Sequence, residues 1–140
     1  MNRHLRRKQK KEGKDKKNIQ SKLVEAIKLH SNKDFEKAER VYKQLNALSP
    51  DNYDVLRHLG ILNQDLGRLE EAYNFFQEAI KVKPDGFEAL NNLGTIHVLN
   101  KNQNLALKCF EKSININPNY VPTINNLAGL YHRLHNSEES

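Results

Sequence analysis

Two asparagine pairs, Asn91-Asn92 and Asn125-Asn126, stand 34 residues apart, each followed by leucine and then a small residue. A side-chain amide offers both a donor and an acceptor, so a row of amides can pair with a peptide main chain in both directions. The other candidates for chemistry are weaker. His132 and His135 are three apart on one helical face, but no carboxylate or cysteine accompanies them to complete a metal site. Cys109 falls on the apolar face of a helical pattern and reads as a small core residue. No glycine-rich phosphate loop, nucleophile elbow or metal-binding helix motif occurs. No catalytic residue, metal or cofactor is expected, and the chain does not read as an enzyme.

Helices must position the asparagines. In residues 53–86, Val55, Leu56, Leu59, Leu62 and Leu66 recur at helical spacing, and Leu69, Ala72, Tyr73, Phe76, Ala79 and Ile80 do so again. Gly67 stands where the first helix should stop, at a place that favours a left-handed residue. Pro84 stops the second, because proline disfavours helix at the residue before it. Gly60 inside a helix costs about 1 kcal/mol relative to alanine. With the small residues Ala72 and Ala79, it implies that two helix backbones approach closely. One such hairpin cannot bury both its faces and needs a neighbour.

The neighbours are in the sequence. Pro50, Pro84 and Pro118 are 34 apart, and Ala38, Ala72 and Ala106 keep the same period. So do Tyr42, Phe76 and Phe110, and Ala26, Gly60, Gly94 and Ala128. Over residues 19–140 the chain resembles the tetratricopeptide repeat family, whose helix–turn–helix unit has this period. The family's tryptophan-type position holds Leu56, Leu90 and Ile124, but Lys22 in the first unit.

The resemblance implies an all-α solenoid, an α-α superhelix of about seven helices. Three repeats would occupy residues 19–52, 53–86 and 87–120, with the first helix of a fourth at 121–140. Asp34 is a plausible carboxylate cap for the second helix of the first repeat. The third turn, Asn100 to Gln103, lacks glycine, and asparagine is expected to take the left-handed conformation there. Gln103 in place of an apolar residue makes this hairpin the looser one. His97 fills a position that the family usually gives to tyrosine, so it reads as a packed histidine.

In this family the first helices of successive repeats line a groove that binds extended peptides or helices. By register the groove residues here are Leu23 and Ile27, then Asp54, Arg57, His58 and Ile61. Glu88, Asn91, Asn92 and Thr95 continue it, followed by Asn125 and Asn126. Asn92 and Asn126 look like the asparagine ladder of the repeats in O-linked N-acetylglucosamine transferase. The cations of a chaperone carboxylate clamp are missing, since the matching positions hold Leu23, Ile27, His58, Glu88 and Asn92.

The net charge of +6 is unevenly placed: residues 1–17 hold nine bases and two acids, and the remaining residues hold fourteen bases and fifteen acids. This stretch has almost no apolar residue to offset the entropy of ordering, so residues 1–18 are expected to be a disordered or frayed basic tail. An electrostatic contact of residues 3–17 with nucleic acid or an acidic surface is the weaker functional reading. No membrane span or secretory signal is read, and with one cysteine a cytoplasmic setting is expected.

The expected function is a non-catalytic scaffold that binds a protein or peptide partner. The alternative is an accessory repeat region of a larger transferase, such as a glycosyl- or sulfotransferase. Leu127, Tyr131 and Leu134 on the last helix would lack a covering helix. That motivates both the fragment reading and self-association through this helix.

Overall fold

The computed structural model describes residues 2–139, and among these it contains seven helices and no strand. They are α1 (Arg3–Ser31), α2 (Phe35–Leu48), α3 (Tyr53–Asp65), α4 (Leu69–Val82), α5 (Phe87–Leu99), α6 (Gln103–Ile116) and α7 (Val121–Glu139). The chain divides into two compact units, residues 1–50 and 51–140.

The first unit is the hairpin of α1 and α2, with Leu23, Ala26, Ala38, Tyr42 and Leu45 buried. His30 stands edge-on to Phe35 and Tyr42, with ring centroids 5.8 and 6.2 Å away. The basic segment differs from the expected disordered or frayed tail. It is the first half of one continuous helix from Arg3, capped by Asn2, whose Oδ1 accepts from the His4 amide at 3.0 Å. Lysine, arginine, glutamine and glutamate are good helix formers. A helix already fixed at its packed end also extends without a new nucleation cost. Asp34 is a second difference. It occupies the N-cap of α2 without a side-chain cap bond, and its carboxylate lies 3.7 Å from Lys37 instead.

Three turns share one geometry. Lys33, Gly67 and Lys101, each 34 residues from the next, have φ of 62, 76 and 62°. In each turn the next residue's amide bonds back across the helix end, as in Asp34 to Leu29, Arg68 to Asn63 and Asn102 to His97 (2.8–2.9 Å). In the third turn the left-handed residue is therefore Lys101 and not an asparagine. A side chain is strained in this conformation and glycine is not. Lys101→Gly is expected to raise stability by about 0.5–1 kcal/mol, read as the urea midpoint. An unchanged or lower midpoint would count against strain at this turn.

The second unit stacks the hairpins α3–α4 and α5–α6 and adds α7 against α6. Gly60 and Gly94 are the close approaches that the pattern implied. A Cβ at either would stand 2.6 Å from Cδ1 of Phe76 or Phe110, with Cε1 nearer still. Ala72, Phe76, Leu93 and Ile96 form one core cluster, Leu56, Ala79 and Ala89 a second, and Ala106, Phe110 and Leu130 a third. The α5–α6 pair packs as closely as α3–α4, so Gln103 does not loosen it.

Caps tie the repeats together. Asn52 Oδ1 accepts from the Val55 amide at 3.1 Å and caps α3. The N-cap of α5 is Gly86, which has no side chain to offer. The Tyr53 hydroxyl takes that role, accepting from the Ala89 amide at 3.1 Å and donating to Glu88 at 3.1 Å. A Cβ on Gly86 would collide with the Tyr53 ring. Burial pushes the Tyr53 hydroxyl above its ordinary range, so it stays a neutral donor and acceptor.

Candidate peptide-binding groove

α3, α5 and α7 are successive first helices, and α3 meets α5 as α5 meets α7. The second unit carries ten of the twelve residues picked from the sequence. Asp54 and Asn125 are exposed, and Arg57, His58, Glu88, Asn92, Thr95 and Asn126 are half-buried. His58 Nδ1 lies 3.0 Å from the Asp54 carbonyl. Arg57 Nη1 donates to Asn92 Oδ1 at 3.4 Å, which links α3 to α5. The Nε of Arg57 is buried and meets no acceptor. Asn92 keeps its Nδ2, and Asn126 keeps one arm of its amide. This face therefore presents amide groups of Asn92 and Asn126, while the Arg57 Nε is enclosed and not part of the accessible surface.

Three picked residues do other work. Leu23, only 3% exposed in the first unit, is a core residue. Ile61 packs on the Phe76 cluster from the edge. Asn91 is 5% exposed, and its Oδ1 accepts from Thr123 Oγ1 at 3.0 Å and Asn126 Nδ2 at 2.9 Å. Neighbouring helix positions point in different directions, so only one of the two adjacent asparagines can face outward. Thr123 also meets Ser113 Oγ at 2.8 Å, and Ser113 donates to the Phe87 carbonyl at 2.9 Å. Asn91 thus belongs to a buried network that joins α5, α6 and α7. Ile27 lies half-buried in the first unit.

The residues set aside for other chemistry sit as follows. His97 is buried against Tyr73, its ring 5.9 Å away, and burial holds its pKa below the usual histidine value. Cys109 packs on the Phe76 cluster, and burial pushes its thiol up. His132 Nε2 lies 3.2 Å from Asn136 Nδ2, and no cluster with metal-binding composition occurs among the described residues. On α7, Leu127 and Leu134 are not bare: both pack on the Phe110 cluster. The large apolar side chains left exposed there are Val121, Ile124 and Tyr131. No helix among the described residues is long and apolar enough to cross a membrane.

Tetratricopeptide repeat profiles match residues 29–95, 87–120 and 109–140. The chain belongs to the tetratricopeptide repeat family. A search of curated protein sequences returns no match. Among solved structures the chain is similar to the Sgt2 tetratricopeptide domain from Aspergillus fumigatus. The identity is 19% and the TM-score 0.80, over 88% of this chain and 83% of that one. It is similar to the first tetratricopeptide domain of Spaghetti (RPAP3) bound to the HSP90 peptide SRMEEVD, at 15% identity and TM-score 0.76, covering 84% and 93%. It also resembles an O-GlcNAc transferase from Thermobaculum terrenum at 22% identity and TM-score 0.79, over 84% of this chain. The chain spans 23% of that transferase's length. At these identities the likeness is one of fold, and the all-α helix–turn–helix repeat is the fold expected from the sequence.

The sequence pattern could not reveal Tyr53, Ser113 and Thr123 as members of the site's framework. Their partners are 10 to 36 residues away in the chain.

Proposed function

We propose that the protein is a non-catalytic interaction scaffold that holds an extended peptide segment against α3, α5 and α7. The observation that carries this reading is the pair Asn92 and Asn126, one repeat apart on α5 and α7. Both are half-buried, and each keeps amide capacity beyond its single contact, to Arg57 Nη1 and to Asn91 Oδ1. Amides so spaced can pair with successive peptide groups, which favours main-chain recognition over a charged clamp. A peptide-bound neighbour of the same fold, the Spaghetti domain, supports the use of the repeats in this way.

The test starts from peptides selected by display on the full chain. Their affinity is expected to fall about 5- to 150-fold in the Asn92→Ala/Asn126→Ala variant, since two hydrogen bonds of about 0.5–1.5 kcal/mol each are lost. Helical circular dichroism should not change. Equal affinity for parent and variant would remove the amide row from the account.

A second reading comes from the transferase, in which repeats of this fold form part of a much longer chain. On this reading the groove presents a protein substrate to a catalytic domain. A catalytic reading frame continuous with the last codon would favour it.

A further inference from the structure

We propose that the first half of α1 is a docking stripe for the phosphate backbone of a nucleic-acid duplex. The sequence shows only that residues 3–17 are basic. The continuous helix shows where the charges go. At about 100° per residue, Arg3, Arg7, Lys10, Lys14 and Lys17 run down one side, with Arg6 and Lys11 on the flanks. These seven fall within an arc of about 140°, and no residue of another type from 3–17 shares it. The rest of this segment holds two bases, Lys8 and Lys16, against two acids, Glu12 and Asp15. The stripe is +7 and the other side is neutral.

The fold leaves this side open. Residues 3–17 are exposed throughout. The buried α1 residues Leu23 and Ala26 lie outside the arc, as do Asp15, Ile19 and Lys22, which line a cleft with Leu45 and Leu48 of α2; Asn18, also in that cleft, falls inside the arc just past the end of the stripe. No ion pair among the described residues engages the stripe. The arrangement is locally unfavourable to its own helix. Like charges at i,i+4 repel, and the first turn carries no acid to meet the helix dipole. An external polyanion removes both penalties.

The chemistry selects a phosphate backbone. Within residues 3–17 the arc holds only lysine and arginine, side chains that meet phosphates, and no aromatic ring to stack on unpaired bases. The opposite side offers Leu5 as its large apolar residue, too little to sink the helix into a bilayer. The stripe is about 21 Å long, and a helix about 10–12 Å across fits a major groove about 12 Å wide. Duplex DNA presents one charge per roughly 1.7 Å of axis, so the stripe faces more phosphates than it has cations.

The test uses the full chain and labelled DNA and RNA duplexes of about two turns, followed by anisotropy from about 50 to 200 mM salt. Five to seven contacts predict a log–log slope of about −4.5 to −6 on DNA. Lys10→Gln/Lys14→Gln should reduce the slope by about 1.8, and Lys8→Gln/Lys16→Gln, with the same loss of charge, by close to zero. Duplex addition should also raise helical circular dichroism. Preference for the DNA arm supports the stripe, and tighter binding to the RNA arm, whose deep and narrow major groove does not admit the helix, would overturn the groove seating. Equal reductions in the two variants would overturn it, because only net charge would then matter. So would the absence of binding at the lowest salt. Tighter binding to phosphatidylserine vesicles, or displacement of the duplex by an equal charge of polyglutamate, would overturn it in favour of a membrane or an acidic protein.

Discussion

Phe76→Ala is expected to destabilise the second unit by about 3–5 kcal/mol, against a total of about 5–15 kcal/mol for a small domain. The ring is fully buried, closes the cluster with Ala72, Leu93 and Ile96, and lies across Gly60. Gly60, which the ring covers, offers no side chain to fill the space left by truncation. The same geometry predicts a change of sign in a double-mutant cycle. Gly60→Ala should destabilise the parent, because its methyl would collide with the Phe76 ring. In the Phe76→Ala background the collision is gone, and the helix propensity of alanine should give back about 1 kcal/mol. Urea unfolding of the four proteins measures the coupling. Additive effects would mean that glycine is not there for the ring. The first unit carries alanine and tyrosine, Ala26 and Tyr42, at the same register and buries both fully. A methyl at this position is therefore tolerable only where the helix pair is set to receive it.

The parts of the fold that repeat were the parts legible in the sequence. Gly60 and Gly94 could be read as close approaches because a glycine inside a helix has no local reason to be there. Gly67 could be read as a turn because glycine is free at positive φ. Lys33 and Lys101 take the same conformation, yet lysine carries no turn signal and yields only to the 34-residue register. The capping of α5 by Tyr53 was illegible, since a tyrosine at the start of one helix does not announce an acceptor for the next. For the basic segment an entropy argument weighs only the missing apolar burial, whereas a helix can also extend from a packed end, as α1 does from Arg3 to Ser31. The groove was half legible. Register finds the helix face, but an Asn-Asn pair looks alike in both members, and only contact with α7 separates the structural asparagine from the free one.

That separation carries the second large effect. Asn91→Ala removes the acceptor of Thr123 and Asn126 and is expected to cost about 1–3 kcal/mol. The loss should be local. Amide exchange should quicken in α7, which is joined to α5 and α6 through this network, while α3 and α4 keep their protection. Asn125→Ala, at an exposed site, should stay within about 0.5 kcal/mol of the parent. If Asn91→Ala left α7 protected and abolished peptide capture, the residue would be a ligand contact and the network incidental. The preceding repeat explains why the network is replaceable in principle. Ala79 and Ala89 occupy there the register of Ser113 and Thr123, and both are fully buried. Ser113→Ala with Thr123→Val therefore replaces both hydroxyls together and should cost less than Asn91→Ala alone, because few polar groups are left stranded. Packing needs only small residues at this junction. The hydroxyls and Asn91 add directionality, which fixes how α7 lies on α5 and so where Asn126 presents its free amide arm.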